Sequence, residues 1–463
     1  MITLTAAEIA EATGGRLEGD PGARVTGAVT LDSRAVGAGD LFVAVPGERV
    51  DGHDFLAAAA GSGAVAALVT RPDPALPCVV VEDPVVALGR LAASVHARLT
   101  DGGLRTLGIT GSSGKTSTKD LLGQVLAAAG PTVSPPGSYN NDIGLPLTVL
   151  SADEGTRYLV LEMGARGPGH IARLCRVARP QIGVVLNVGS AHLGEFGSAE
   201  VIAQAKGELV EALPEDGTAV LNADDPRVIG MAPRTRARVL ATGRGADADV
   251  RATDVALDDS ARPRFTLVTA GEEHRVELQV VGEHQVANAL SAAGAALAAG
   301  MAPAEVAAAL SAAGPRSRWR MEVTRRDDGV TIVNDAYNAN PESMRAALAA
   351  LAGLPAERRI AVLGGMAELG PDAAAEHERL GRDAVSAGVD VVIAVGTDAV
   401  GIAGGATAAG RRAGEESVHV PDRAAALALL TEVLRPGDVV LVKASRSYGL
   451  ELLAADLLGG AGQ

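Results

Sequence analysis

Residues 107–118 read Leu107-Gly-Ile-Thr-Gly-Ser-Ser-Gly-Lys-Thr-Ser-Thr118, between the apolar run TLGIT and the periodic run TSTKDLLGQVLAAAG. An apolar run, a glycine turn and a run of helical period, in that order, predict a β-strand, a tight loop and an α-helix. In such a unit successive loop N–H groups and the helix N-terminus can surround phosphate oxygens. Lys115 can then offset β/γ charge, and the Thr116 hydroxyl can ligate magnesium. Gly111, Ser112, Ser113, Gly114, Lys115, Thr116 and Ser117 form the loop, and Gly111 and Gly114 let its backbone come close to a ligand. Ile109 stands where the first glycine of GxxxxGK[ST] would be, so the form is TGxxGKT. A Gly/Ser turn with an exposed lysine is the plain alternative; the strand, loop, helix order favours nucleotide.

The 463 residues exceed what one core holds, since single cores stop growing near ~250–300 residues, and three domains are expected. Hydrophobic residues make up 47% but aromatics only 2%, so the core is built from Ala, Val, Leu and Ile. A net charge of −15 argues against a nucleic-acid partner, whose phosphates call for clustered Lys and Arg. The N-terminal stretch lacks a basic region followed by an apolar one, and no run reaches the ~18 apolar residues of a membrane span, which predicts a soluble cytoplasmic protein. Cys78 and Cys175 alone make neither a disulfide framework nor a metal cluster.

The fold class expected is α/β in three units. Residues 1–101 form a small α/β domain ending in a helix at 84–99; residues 102–314 form a central phosphate-loop domain with a mainly parallel sheet; residues 315–463 form a Rossmann-like domain without GxGxxG. Central strands are expected at 158–164, 182–188 and 218–224, with a helix at 287–299. In the last unit a helix runs from 341 to 352, with Asn340 as N-cap and Pro341 at its first position. Glu162, near the end of the YLVLEMG run, could hold Mg²⁺ through its carboxylate, or equally be a surface salt-bridge carboxylate. His192 and Lys206 carry no signal by spacing; singly they read as a structural histidine and a surface lysine.

Together these segments resemble the Mur ligase family over nearly the whole chain. The resemblance rests on LDSRAVGAGDLFVAVPGERVDGHDF (31–55), GITGSSGKTSTKDLL (108–122), GSYNNDIGLPLTVL (137–150), LEMGARGPGHI (161–171), NVGSAHLGEFGSAEVIAQAKGEL (187–209), HQVANALSA (284–292), NDAYNANPESMRAAL (334–348) and VKASRS (442–447). Within the family, YNANPESM and GSYNNDIGLPLT look like the member that completes the cell-wall precursor peptide.

The resemblance implies an ATP-dependent acid–amino-acid ligase that joins D-alanyl-D-alanine to UDP-MurNAc-tripeptide through an acyl phosphate. It implies ATP and two Mg²⁺ as cofactors, and a carbamylated Lys206 that ligates metal with Thr116, Glu162 and His192. Lys115, Lys206, His192 and Glu162 are the catalytic set it implies. Asn288 is implied at the adenine, and Asp335 and Tyr337 beside the nucleotide. Ser33 and Arg34 are implied at the UDP end, and Asn140, Asn141 and Asn338 at the substrate. The arginine near the γ-phosphate is Arg318 or Arg320. A monomer is expected. The rival readings are another amide ligase of the superfamily, such as a UDP-MurNAc-dipeptide, folylpolyglutamate or cyanophycin-type ligase, and a regulatory module that only binds ATP.

Overall fold

The computed structural model describes residues 1–47, 50–189 and 196–459. Among these residues the strands make four sheets. Nearest the N-terminus, Leu4–Thr5 pairs with Arg24–Val25, and five strands run in the order Arg16–Glu18, Cys78–Val80, Ala66–Val69, Leu41–Val43, Val29–Thr30. The first of the five is antiparallel and the rest are parallel. Asp83 caps the helix Pro84–Asp101 by accepting from the N–H groups of Val85 and Val86, with Pro84 in the first turn where its missing N–H costs nothing. The buried face of this helix packs on Gly144–Leu150 and His170–Ala178 of the next unit. One apolar core therefore runs from Ile2 through Leu91 to Leu209, and the first two units share it.

The nine-stranded central sheet places Arg105–Thr110 between Tyr158–Glu162 and Ile182–Val185. It is parallel from Thr132–Val133 at one edge as far as Val250–Leu257. The expected runs at 158–164, 182–188 and 218–224 are strands Tyr158–Glu162, Ile182–Val185 and Thr218–Asn222, and the helix expected at 287–299 is Gln285–Ala298. Beyond them the sheet extends through Arg238–Gly243 into antiparallel strands Val250–Leu257, Pro263–Thr269 and Glu272–Glu277, for which no strand was expected. A register shift between Thr253 and Ala256, with Asp254 at φ +53°, breaks the alternation of the first of these.

The C-terminal sheet has the order Glu322–Arg325, Thr331–Asn334, Asp438–Lys443, Arg358–Gly364, Val391–Val395, Ser417–Val420 and is parallel except at its first strand. Its helix Pro341–Gly353 opens as expected, with Asn340 Oδ1 accepting from Ser343 N at 2.8 Å. No helix among the described residues is long and apolar enough to cross a membrane.

His96, on the buried face of Pro84–Asp101, places Nε2 2.8 Å from Thr106 Oγ1 at the start of the phosphate-loop strand. Burial, with the charge of Arg179 adding to it, pushes this imidazole down to about 4. A histidine in the unfolded chain titrates near ~6.5, so between those values the unfolded chain binds a proton that the folded chain refuses. The neutral ring's contribution, ~3 kcal/mol, is thus complete above pH ~6.5 and lost as pH falls toward ~4. His96→Gln is expected to flatten the pH dependence of the denaturant midpoint across that window. An unchanged slope would show that His96 titrates alike in both states.

Candidate active site

At the carboxyl edge of the central sheet, Thr110 ends its strand and the chain turns through Gly111–Gly114 into helix Lys115–Ala127. Gly114 has φ +79°, and a Cβ there would collide with Asn288 Oδ1. At Gly111 a Cβ would lie 2.9 Å from Leu186 Cβ. Asn187 holds the loop from the neighbouring strand: its Oδ1 accepts from Ser112 N and Ser113 N, both at 2.9 Å, and its Nδ2 donates to Ser113 O at 3.2 Å. With those amides engaged, the N–H groups left for an anion are those of the first helical turn, which have no intrahelical acceptor. Lys115 Nζ folds back to donate to Gly111 O at 2.7 Å.

Parallel register sets Glu162 beside Ile109, so its carboxylate meets the loop. Glu162 Oε2 accepts from Thr116 Oγ1 at 2.7 Å, and Oε1 accepts from Ser138 Oγ at 2.8 Å and Asn140 Nδ2 at 2.9 Å. Burial alone would raise this carboxyl. The charges of Lys115 and Arg320 and the hydrogen bonds from Thr116 and Asn140 outweigh it and hold the group ionised, below the usual carboxylate range. Lys115 is shifted down by burial and by Arg320, against the pull of Glu162. Lys206 comes from helix Ala199–Glu211 and is 4% exposed. Burial, reinforced by Lys115, holds its ammonium well below the lysine range, and its Nζ makes no hydrogen bond to the described residues.

The C-terminal sheet supplies the facing wall. Lys443 Nζ pairs with Asp335 Oδ2 at 2.6 Å and donates to Asn338 O at 2.9 Å, while Asp335 Oδ1 accepts from Met321 N at 3.0 Å. Arg320 lies over the Tyr337 ring at 4.2 Å, and its buried Nε has no hydrogen-bond partner among the described residues. These groups line one cavity of about 940 Å³. A chain of net charge −15 thus turns Lys115, Arg320 and Lys443 toward a common space, an arrangement for a polyanion.

The cavity gathers Gly111, Ser112, Ser113, Gly114, Lys115, Thr116, Ser117, Asn140, Asn141, Glu162, Lys206, Asn288, Asp335, Tyr337 and Asn338. Of the two arginines left open, Arg320 lines it; Arg318 is exposed and does not. Asn288 has its amide engaged inside the protein, accepting from Thr118 Oγ1 at 3.3 Å and donating to Gln285 Oε1 at 2.9 Å. Asn141 Oδ1 accepts from Gly144 N at 2.8 Å and so shapes the entry to its helix. Ser33 and Arg34 stand apart in the first unit, where Arg34 forms a two-pronged pair with Asp32. His192 lies outside the described residues. Sequence reasoning gave no role to Asn187, Ser138 or Lys443; the motifs NVGSAH, GSYNN and VKASRS contain them, but nothing local in those motifs says which atoms they meet.

Three family models match in chain order: Mur ligase family, catalytic domain, over residues 25–94; Mur ligase middle domain over 109–296; and Mur ligase, glutamate ligase domain over 319–446. The UDP-N-acetylmuramoyl-tripeptide–D-alanyl-D-alanine ligase of Mycobacterium tuberculosis is 51% identical, across 99% of this chain and 98% of its own. The chain belongs to the Mur ligase family. Among solved structures of the family, MurF from Acinetobacter baumannii superposes with a TM-score of 0.88 at 32% identity, covering 99% of each chain. MurF ligase from Thermotoga maritima in complex with ADP has a TM-score of 0.80 at 31% identity, covering 94% of this chain and 97% of that one. The α/β architecture of three successive family regions is therefore that of these ligases.

Because Glu162 joins Thr116, Ser138 and Asn140, replacing its charge while keeping its shape tests the electrostatic centre of this family site. Glu162→Gln is expected to fold normally and to weaken binding of Mg²⁺–nucleotide on the order of tenfold or more, read by calorimetry. Unaltered affinity would place the metal-nucleotide elsewhere.

Proposed function

We propose that this chain catalyses ATP-dependent amide-bond formation between UDP-N-acetylmuramoyl-tripeptide and D-alanyl-D-alanine, giving the UDP-MurNAc-pentapeptide, ADP and phosphate for peptidoglycan synthesis. The reading is carried by one conjunction: full-length 51% identity to a ligase of that name, and a cavity that sets the phosphate loop and Glu162 against Arg320, Asp335 and Lys443 of the C-terminal region. We take its units as 1–101, 102–314 and 315–463, its compartment as the cytoplasm and its working form as a monomer.

A free carboxylate is a poor acyl donor. In the proposed reaction the tripeptide's terminal carboxylate oxygen attacks the γ-phosphorus, the bond to the ADP oxygen breaks, and an acyl phosphate forms. The dipeptide amine then attacks the acyl carbon, phosphate leaves with the bonding electrons, and the amine's proton is released. Lys115 and Arg320 offset charge on the transferring oxygens; the amides of the first helical turn and Asn140 orient the groups, and positioning supplies much of the rate.

The residues present fit magnesium. Thr116 Oγ1 and Glu162 converge, and Mg²⁺ favours oxygen ligands. Among the described residues no three His, Cys, Asp or Glu side chains cluster, which leaves the rest of a magnesium shell to water, phosphate oxygens or a further side-chain oxygen. Lys206 suits the last of these as a carbamate, formed when its neutral amine adds to CO₂ and loses a proton; its burial, lowered basicity and lack of a partner among the described residues support this. Bound there by Thr116, Glu162 and the Lys206 carbamate, Mg²⁺ would neutralise phosphate charge. Asp335 and Tyr337 would border the nucleotide, Asn288 the adenine, Asn338 the incoming substrate, and Ser33 and Arg34 the UDP end.

Phosphate release with ATP, Mg²⁺ and UDP-MurNAc-tripeptide is expected to require D-alanyl-D-alanine, and the product mass should be that of the pentapeptide. Release without the dipeptide, or with a single amino acid in its place, would reject the substrate assignment. Lys115→Ala should abolish acyl-phosphate formation while melting as the parent does. For Lys206→Ala, loss of turnover with partial rescue by short carboxylic acids is expected; full activity without rescue would make the lysine structural.

A further inference from the structure

Residues 314–321 carry the chain from the central unit into the C-terminal sheet, and they are fastened at both ends. Gln124, on the phosphate-loop helix, donates to Gly314 O at 2.9 Å and accepts from Gly314 N at 3.1 Å. Asp120, on the same helix, accepts from Ser317 N at 3.1 Å while pairing with Lys119 at 2.7 Å. At the far end Tyr337 N donates to Trp319 O at 3.2 Å, and Met321 N donates to Asp335 Oδ1 at 3.0 Å. Between these ties Trp319 and Met321 adopt φ of +60° and +50°, left-handed conformations that bulky residues seldom take without being held there.

The side chains of this segment form a four-membered column. Arg446 lies 4.1 Å from the Trp319 ring centroid; Trp319 and Tyr337 stack at 6.5 Å with 24° between their planes; Arg320 lies 4.2 Å from the other ring's centroid. Both guanidinium contacts fall within the ~6 Å at which a cation is drawn to a ring face. Arg320, Tyr337 and Arg446 line the cavity, whereas Trp319 does not. The tryptophan is thus the member set back from the cavity in a column whose last guanidinium shares that cavity with Lys115 and Glu162 and acts on both through its charge.

We propose that Trp319 is a positioning residue, which acts through Tyr337 to hold the Arg320 guanidinium at the phosphoryl-transfer site. An arginine side chain has many rotamers, and ordering it in advance leaves less to be ordered when charge develops on the phosphoryl group. The column does this with ring faces, so Arg320 keeps its N–H groups for the anion. Asp120 and Gln124 set the register of the column relative to Lys115, because they lie on the helix that Lys115 begins. The proposal rests on the ligase reading above.

A double-mutant cycle tests it. Trp319→Leu is expected to lower kcat on the order of tenfold, with KM for the UDP-tripeptide and for D-alanyl-D-alanine little changed. Trp319→Phe, which keeps a ring in the column, should recover most of the loss. Combined with Arg320→Ala, Trp319→Leu should cost nothing further, because the group it positions is gone. Losses that multiply in the double variant, or a Trp319→Leu enzyme at full rate, would overturn the proposal. Trp319 is the chain's single tryptophan, so its emission reports on the column without any variant at that position. Arg320→Ala is expected to change that emission and its quenching by iodide; identical spectra would overturn the proposal even where Trp319→Leu fails to fold. Absence of phosphate release in the unaltered protein would instead count against the ligase reading.

Discussion

The buried carboxylate of Glu162 is the interaction on which the rest of the site depends. It is 3% exposed, a costly place for a charge, and it stays ionised because hydroxyl, amide and cationic groups converge on it. Those groups come from separate parts of the chain: Thr116 from the loop helix, Ser138 and Asn140 from the GSYNN turn, Lys115 from the loop, and Arg320 from the passage to the last sheet. A carboxylate with so many donors is a joint as well as a ligand. Removing any partner leaves the others facing an under-satisfied buried charge.

The parallel sheet supplies the geometry for that joint. Strand ends of a parallel sheet collect at one edge, so Thr110, Glu162 and the segment after Val185 open onto the same space without a long loop. The first two units share one apolar core, Ala261 and Val281 of the central unit join the core of the third, and the third unit lines the charged cavity from the facing side.

Features governed by neighbours in sequence were legible before any coordinates. The strand, glycine turn and helix around Lys115 depend on local backbone preference, and so does the Asn340-Pro341 helix entry. The Tyr158–Glu162 strand was also plain, with its carboxylate at the end. Of the antiparallel strands after Val250, the first has its alternation interrupted by a register shift, whereas Pro263–Thr269 alternates buried and open residues throughout and carried a period-two signal in its sequence. Asn187 carries no local mark of its role, since the amides it holds at Ser112 and Ser113 lie some 75 residues earlier. Lys206 read as a surface lysine because helical spacing says which residues share a face but not what covers it.

The sequence by itself determined the class of the chain: an α/β ligase-family protein with a phosphate loop at Gly111–Ser117 and a carboxylate at a strand end, because such motifs are short-range statements about turns, charge and hydrogen bonding. It took the fold to separate the surroundings of Arg318, which is exposed, from those of Arg320, which lines the cavity. The two are separated by one residue and have the same chemistry; what sends one into solvent and the other over Tyr337 is a left-handed backbone at Trp319, held by contacts with residues of the C-terminal sheet and its loops. The same holds for the lowered basicity of Lys206. Desolvation is a property of everything packed around a group, and no stretch of sequence contains it.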